Sequence, residues 1–298
     1  MSATERRTGK FPLRLNELDK RAKPVAVVKP VAKPVVVPAA PQPRLNATAA
    51  AVRAVLRPQR LLEHAHADAS RRVAPSGLGL DSLEMRRRMS QRLRSAGVNH
   101  EAVLNAMATV PRHQFVDAAL VTQAYEDTSL PIGHGQTISK PSVVGRMIEL
   151  LLGGANARRT QSLGQTLEIG TGCGYQAAVL SLLARQVVSV ERLRPLHDKA
   201  RELLAPLRST NLRLVYGDGI RGHPPNAPYD SIIAAAGGDA LPTEWFDQLA
   251  VGGRLVSPVR QPGSDKQVLM VVDRTDQGYE QNVYEAVHFV PLKSGLVA

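Results

Sequence analysis

From Gln165 onwards the sequence alternates short apolar runs with segments of helical periodicity, and this alternation limits the possible folds more than any other feature. Seven runs are predicted as strands: TLEIG (166–170), VVSVE (187–191), LRLVYG (212–217), SIIAAAG (231–237), GRLVSPV (253–259), VLMVVD (268–273) and VHFVPL (287–292). Helices are predicted between the earlier runs, at 175–184, 195–207 and 242–249. The pattern is typical of an α/β fold, a doubly wound Rossmann-like sheet of parallel strands covered on both faces. No helical segment separates the last two runs, so we expect an antiparallel C-terminal edge.

Residues 1–78 have a different composition, in which Pro, Ala, Val and Lys recur through 22–43. Proline removes backbone donors and favours extended geometry, so this segment is predicted to be a disordered Pro/Ala/Lys-rich basic arm with polyproline II character. It has room for one short helix at 47–64. The motif HAHAD (64–68) has no second cluster of ligands in the arm, and we expect no metal site there. The ordered domain is predicted to span 79–298.

The positive charge of the chain lies almost entirely in its first third. The net charge is +12, yet residues 1–97 alone carry +13, with 20 Lys and Arg against 7 Asp and Glu, and residues 98–298 carry −1. A solvating tail is the favoured interpretation of the arm, and recruitment of an anionic partner is the second. The near-neutral domain, with 4% aromatic residues in the chain, does not predict a specific nucleic-acid surface. The partner of the arm is left open.

A helical extension is predicted ahead of the sheet. DSLE (81–84) is a capping-box pattern, and the helix that follows can end at Gly97. A second helix is predicted at 101–110, and a third begins at Pro141 and ends at the glycines 153–154.

Features of targeting and redox chemistry favour a cytoplasmic protein. No apolar run reaches the roughly 18 residues of a membrane span, and the first 20 residues lack the apolar core of a signal peptide. Cys173 is the single cysteine, so no disulfide can form within the chain. We therefore expect a cytoplasmic location and no membrane partner.

Three polar or glycine-rich signals stand at the carboxyl ends of the first three predicted strands. GTGCG (170–174) precedes a helix, Glu191 ends the second strand, and Asp218 follows the third between two glycines. Glycines let a ligand approach the backbone, and carboxylates at these positions can accept hydrogen bonds from ribose hydroxyls and an adenine amino group. A dinucleotide fingerprint would need glycine at position 175, where Tyr175 stands. The set predicts an adenosine ligand without a pyrophosphate, and S-adenosylmethionine fits that description.

These motifs, together with others upstream of the sheet, resemble those of the protein-L-isoaspartate O-methyltransferase family. The segments concerned are PRHQFVD (111–117), AYEDTSLPIG (124–133), GQTISKP (135–141), LEIGTGCGYQAAVL (167–180), SVER (189–192), GDG (217–219), GGRLVSPV (252–259) and HFVPL (288–292). The resemblance runs from about residue 81 to 292 in the family's order. It implies a seven-stranded methyltransferase sheet, S-adenosylmethionine as donor, and the free carboxylate of L-isoaspartyl residues in damaged proteins as acceptor. The methyl ester would initiate repair through a succinimide.

The resemblance also implies the residues of the site. Ser139 takes the catalytic position, and the cofactor-binding positions are Gln136, Thr137, Ile138, Glu168, Gly170, Thr171, Gly172, Tyr175, Glu191, Asp218 and Gly219. The chain departs from the usual family pattern at Lys140, where Gln is common, and at Cys173, where Ser is common. The loop AAAGGDALP (234–242) departs as well, which bears on the choice of acceptor.

The chemistry explains why the stretch LPIGHGQTISKP (130–141) offers a hydroxyl but no strong base. A peptide α-carboxyl has a pKa near ~3.5, so at pH 7 the acceptor is already a nucleophile. Positioning is what remains, and the Ser139 hydroxyl suits that task without quenching the carboxylate. A plain N-cap for the following helix is the alternative role of Ser139. His134 is interpreted as a solvent-facing loop residue, and Tyr125 and Asp127 as braces of the site.

Two other functions are compatible with parts of the sequence. Another S-adenosylmethionine-dependent methyltransferase, acting on RNA or a small molecule, would account for the basic arm. A catalytically inactive fold that binds partners through residues 1–78 is the third hypothesis, and the presence of Ser139, Glu191 and Asp218 argues against it. The chain also lacks an Asn-Pro-Pro-Tyr-type motif for methylation of exocyclic amines.

Overall fold

The computed structural model describes residues 83–298, which begin with two helices. Helix α1 (Leu83–Ser95) packs on the domain through Met89 and Leu93, and α2 (Glu101–Thr109) ends before a proline, as predicted. The arm (1–78), its short helix and the first residues of the capping box lie outside the described residues. The domain boundary at 78/79 therefore remains a prediction.

A hairpin that the sequence did not predict follows these helices. After two 3-10 turns (Arg112–Phe115 and Ala118–Gln123), strands β1 (Leu130–Gly133) and β2 (Gln136–Ile138) pair antiparallel. Helix α3 (Pro141–Leu152) begins at the expected proline, and a short α4 (Ala155–Thr160) leads to the sheet.

Seven strands form one mixed sheet, as the alternation predicted. They are β3 (Gln165–Ile169), β4 (Gln186–Glu191), β5 (Leu212–Tyr216), β6 (Tyr229–Ala234), β7 (Leu249–Arg260), β8 (Gln267–Thr275) and β9 (Gly278–Val287), in the spatial order β5-β4-β3-β6-β7-β8-β9. The first five in that order are parallel, and β8 and β9 pair antiparallel. Helices α5 (Tyr175–Ser181), α6 (Arg194–Leu204) and α7 (Thr243–Gln248) connect the parallel strands.

The strand order reverses at β3, which lies between β4 and β6. In open α/β sheets a crevice opens outside the carboxyl ends of the strands at such a point, and ligands bind there. The side chains of β3 and β4 are almost wholly buried, so both faces of the sheet centre are covered. The fold therefore presents one rigid edge at which loops from several strands converge.

The last predicted strand is misplaced. Only Val287 of VHFVPL (287–292) belongs to β9, as its last residue. The rest contributes only a bridge between Pro291 and Gly237, because the Phe289 amide bonds to the side chain of Gln267 and a proline cannot continue a ladder. The seventh strand is instead Gly278–Val287, whose residues are mostly exposed or half-buried. An edge strand of this kind carries no apolar alternation, so the hydrophobic pattern of the sequence did not predict it.

Helix α7 is anchored directly at the crevice. The fully buried Trp245 donates its indole N–H to the carbonyl oxygen of Gly219 at 2.9 Å. This contact fixes the turn after β5, which carries two of the predicted cofactor-binding residues, Asp218 and Gly219. In the part of the chain that the structure describes, no helix combines the length and the apolar character needed to cross a bilayer.

Candidate active site

A cavity opens at the carboxyl ends of β3 and β4, where the fold predicts a ligand site. The loop after β3 forms one wall, strand β2 forms another, and residues 290–293 cover a third side. Ten of the twelve predicted site residues line it: Gln136, Thr137, Ile138, Ser139, Gly170, Thr171, Gly172, Tyr175, Glu191 and Gly219. Glu168 and Asp218 do not line it.

The glycine loop needs its glycines for backbone reasons. Gly170, Gly172 and Gly174 all have positive φ, at 89°, 57° and 92°. A Cβ on Gly172 would lie 3.2 Å from Ile132 of the hairpin, and one on Gly174 would lie 2.8 Å from Leu204 of α6. The absence of side chains lets the hairpin and α6 close on the loop, which brings β2 against the cavity.

Glu191 joins strand β4 to the glycine loop. Its Oε2 accepts from the amide of Gly172 at 2.9 Å, and its Oε1 accepts from the amide of Leu193 at 2.9 Å. Each carboxylate oxygen retains a second lone pair, and Glu191 lines the cavity. A ribose-binding acceptor requires both properties.

Glu168 lies beneath the loop rather than in the cavity. Its side chain is fully buried, its Oε2 accepts a hydrogen bond from Ser189, and Ser189 is 2.6 Å from the hydroxyl of Thr171. Burial raises the pKa of Glu168 to about 8, so the carboxyl is largely protonated at neutral pH. As the structure places it, Glu168 supports the loop from below through this chain of hydroxyls.

Asp218 accepts a hydrogen bond from a residue near the C-terminal end of the chain. Its Oδ1 accepts from the amide of Ile220 at 3.0 Å, and its Oδ2 accepts from the amide of Gly295 at 2.7 Å. We name residues 294–298 the C-terminal strap. The strap is also held through Arg192, whose Nε donates to the carbonyl of Gly295 at 2.8 Å and whose own carbonyl accepts from the amide of Val297 at 3.0 Å. The strap thus crosses the ends of β4 and β5 beside the cavity.

Ser139 follows the end of β2 and lines the cavity. Its side chain is half-buried, and its hydroxyl makes no hydrogen bond to any residue between 83 and 298. The N-cap of α3 is Lys140, and the helix start is held instead by Asp127, which accepts from the amide and the hydroxyl of Ser142 at 2.8 and 2.7 Å. The N-cap role considered for Ser139 is therefore absent here, and its hydroxyl remains available to a ligand.

The structure places two further residues of the sequence prediction, His134 and Tyr125, and the role of Tyr125 as a brace of the site stays a prediction. His134 is exposed in the turn of the β1–β2 hairpin with φ 53°, and Tyr125 is buried with its hydroxyl 2.7 Å from Nδ1 of His113. Burial raises the pKa of Cys173 to about 11, which keeps the thiol protonated and a poor nucleophile. Cys173 is thus a small wall residue of the cavity.

Arg112 has no role in the sequence prediction, although it belongs to the quoted segment PRHQFVD (111–117). It is fully buried, and one of its Nη atoms donates to the carbonyl of Ser139 at 2.8 Å. Its guanidinium also lies 4.8 Å from the ring centre of Tyr175, which lines the cavity. An arginine just after a proline could have been any surface cation, and nothing in the sequence pattern marked it as buried.

Comparison with known proteins gives one consistent family. The sequence model described as protein-L-isoaspartate(D-aspartate) O-methyltransferase matches residues 84–296. A protein-L-isoaspartate O-methyltransferase of Methylibium petroleiphilum is 56% identical over 296 residues, which cover 99% of each chain. A protein of the same name from Leptothrix cholodnii is 60% identical over 243 residues, covering 80% of this chain and 84% of its own.

Solved structures agree with the sequence comparison. A structure described as protein-L-isoaspartate O-methyltransferase is 30% identical with a TM-score of 0.63, covering 71% of this chain and 67% of its own. A putative protein-L-isoaspartate O-methyltransferase from Plasmodium falciparum, in complex with S-adenosyl-L-homocysteine, covers 70% of this chain and 97% of its own, with a TM-score of 0.60. At 22% identity the latter supports the fold alone.

Proposed function

This chain belongs to the protein-L-isoaspartate O-methyltransferase family, and from that premise we propose how its residues divide the work of donor binding and acceptor positioning. The enzyme methylates the free carboxylate of L-isoaspartyl residues in damaged proteins, with S-adenosylmethionine as the donor. The methyl ester closes to a succinimide, and this begins the repair. The unbonded hydroxyl of Ser139 on the cavity wall is the observation that carries our assignment of the acceptor site.

The cavity fits an adenosine donor. Its glycine loop has a backbone open to a ligand, and Glu191 offers carboxylate lone pairs at the ribose-binding position. We assign Gln136, Thr137 and Ile138 to the wall that separates donor from acceptor, since all three line the cavity on β2. Glu168 supports the glycine loop indirectly, through Ser189. Asp218 lies outside the cavity lining and holds the strap through the amide of Gly295.

When bound, S-adenosylmethionine supplies a methyl group on a positively charged sulfur. The chain does not have to remove a proton from the acceptor, because a carboxylate is ionised at neutral pH. The Ser139 hydroxyl donates a hydrogen bond to one carboxylate oxygen and leaves the other to attack. Backbone carbonyls and amides around β2 restrict the orientation, and orientation supplies much of the rate enhancement of such a step.

We also propose a cellular location and the partners of the enzyme. We propose a cytoplasmic enzyme, consistent with a single cysteine that is buried and protonated. Isoaspartyl peptides and proteins are its partners, and we propose no specific nucleic-acid or membrane partner for the near-neutral domain.

A pair of peptides tests the function. The purified chain is incubated with methyl-labelled S-adenosylmethionine and either an isoaspartyl peptide or its normal aspartyl twin. We expect label that is lost in mild base from the isoaspartyl peptide only. Equal labelling of both peptides, or base-stable label, would contradict the proposed acceptor.

A further inference from the structure

Arg112 is a cation enclosed within the domain next to the proposed catalytic residue. None of its surface is exposed, and it lies in the 3-10 turn Arg112–Phe115. Its Nε donates to the carbonyl of Ala124 at 2.8 Å, and Nη2 donates to the carbonyl of Ser139 at 2.8 Å, with a longer 3.5 Å contact to the carbonyl of Thr128. One guanidinium therefore connects three segments that meet at the acceptor side of the cavity.

Among the described residues, no carboxylate forms an ion pair with Arg112. Its Nη1, though inaccessible to solvent, makes no hydrogen bond within residues 83–298. Burial lowers the pKa of Arg112, and the charge of Asp127, whose carboxylate accepts from Ser142 and forms no ion pair with Arg112, partly offsets that effect. The face of the Tyr175 ring is the main compensation for the charge, at 4.8 Å. A buried cation normally carries a hydrogen-bonded counter-ion, so the absence of an ion pair to Arg112 among the described residues requires an explanation.

The acceptor of this enzyme is an anion that must come to Ser139. We propose that Arg112 is the positioning residue of the acceptor site: it fixes the backbone that carries the Ser139 hydroxyl, and its charge favours a carboxylate there. The proposal rests on the proposed function of Ser139. In a low-dielectric site the field of a cation extends over several ångströms, so Arg112 can act on the acceptor without touching it.

Arginine suits this position better than lysine for a geometric reason. A guanidinium presents donors in a planar fork, and here the fork reaches carbonyls of separate segments while its plane lies over an aromatic ring. An ammonium is a single point charge and could serve one of these partners. A lysine at position 112 would therefore keep the positive charge but lose the hydrogen bond to the Ser139 carbonyl. The Arg112→Lys variant thus separates the effect of charge from the effect of fixing the backbone at Ser139.

The test uses Arg112→Lys and Arg112→Met, with Arg254→Met as the matched control. Arg254 is also largely buried and also donates to a backbone carbonyl, that of Leu150, but it pairs with Asp273 away from the cavity. For each full-length variant we would measure kcat and KM on an isoaspartyl peptide and the Kd for S-adenosylhomocysteine. The Kd of the same peptide is then compared with that of its uncharged isoasparaginyl analogue.

We expect Arg112→Lys to lower kcat by about 100-fold, the cost of a misplacement of about 1 Å at the reacting centre, while the Kd for S-adenosylhomocysteine changes by less than about threefold. Its preference for the charged peptide over the amide should persist. In Arg112→Met that preference should largely disappear. A merely structural role would not alter the preference, and the Arg254 control should retain it whatever its stability.

A double variant covers the case in which Arg112→Met does not fold. If Arg112 acts through Ser139, Ser139→Ala and Arg112→Lys should combine to less than the product of their separate effects on kcat. Full multiplicativity would overturn the proposal, as would an unchanged charge preference in a folded Arg112→Met. Failure of the proposed function itself would look different, because the wild-type chain would then not methylate the isoaspartyl peptide at all.

Discussion

At the scale of single residues, the hydroxyl of Ser139 is the group on which the proposed chemistry depends most. Its replacement in Ser139→Ala should lower kcat by about 10- to 1000-fold, since one hydrogen bond that orients a charged group is lost. The Kd for S-adenosylhomocysteine should change far less, because Glu191 and the glycine loop lie on other strands. Steady-state kinetics and calorimetry measure the two effects.

The same mechanism makes Ser139 a hydrogen-bond donor and not a covalent nucleophile. The pH–rate profile of the wild-type enzyme should show no essential base near neutrality, because the acceptor is ionised throughout that range. Recovery of a peptidyl or methylated Ser139 by mass spectrometry would disprove the mechanism, and so would full activity in the alanine variant.

Glu168 gives a second prediction at this scale, on stability. Its pKa of about 8 in the folded protein is raised by burial, whereas an unfolded glutamate titrates near ~4.3. Between these values the folded state holds a proton that the unfolded state has released, so the contribution of Glu168 to stability falls as pH rises from about 4.5 to 8. Glu168→Gln cannot ionise and should remove that part of the decline.

Urea denaturation at several pH values, compared between wild type and Glu168→Gln, measures this contribution. The difference in unfolding free energy should change in favour of the variant as pH rises, by at most about 1.4 kcal/mol per pH unit for one proton. Parallel pH curves for the two proteins would mean that Glu168 is ionised in the folded state.

At the scale of elements, the start of α3 determines where Ser139 lies. Asp127 holds that start from outside the helix through two hydrogen bonds to Ser142. We expect Asp127→Ala to lower the unfolding free energy by about 1 kcal/mol, the usual cost of losing a side-chain cap, and to lower kcat more than it weakens donor binding. Glu84→Ala, which removes an exposed ion pair with Arg88 on α1, is the control and should affect neither. Unfolding of Asp127→Ala at the wild-type denaturant concentration would rule out this bracing role.

Elements with strong periodicity were predictable, and those formed by local geometry were not. Strands β3 to β8 and helix α3 carry continuous apolar runs or a helical stripe, so the sequence indicates them within a few residues. The β1–β2 hairpin depends on three successive positive φ angles at 133–135, and β9 is a polar edge. Neither feature produces an apolar pattern.

The site was predictable to the extent that its chemistry depends on residue type and strand ends. The glycine loop, Glu191 and Ser139 line the cavity as expected. The place of Glu168 beneath the loop depends on which face of β3 it occupies, and the enclosure of Arg112 depends on how three segments pack. The pattern of a single sequence segment does not predict contacts between residues that lie far apart in the sequence.

At the scale of the whole molecule, the sheet and its cavity lie within the residues that the family model matches, 84–296. A chain that starts at residue 79 should therefore keep kcat/KM on a short isoaspartyl peptide within about twofold of the full chain, since the Pro/Ala/Lys-rich composition of the arm predicts no packed core. A large loss of kcat on that peptide would show that the arm completes the site. If the full chain is better only on whole-protein substrates, and salt removes the difference, the arm recruits them electrostatically.

The C-terminal strap has a practical consequence for anyone who handles this enzyme. The last residues are held at the rim of the donor cavity by Asp218 and Arg192, so the end of the chain and the donor share one neighbourhood. If docking of the strap and donor binding are coupled, thermodynamic linkage requires each to change the free energy of the other by the same amount. An affinity tag fused after Ala298 that displaced the strap would then change the measured Kd of the donor. For measurements of donor affinity, a purification tag at the other terminus leaves these contacts of Gly295 undisturbed.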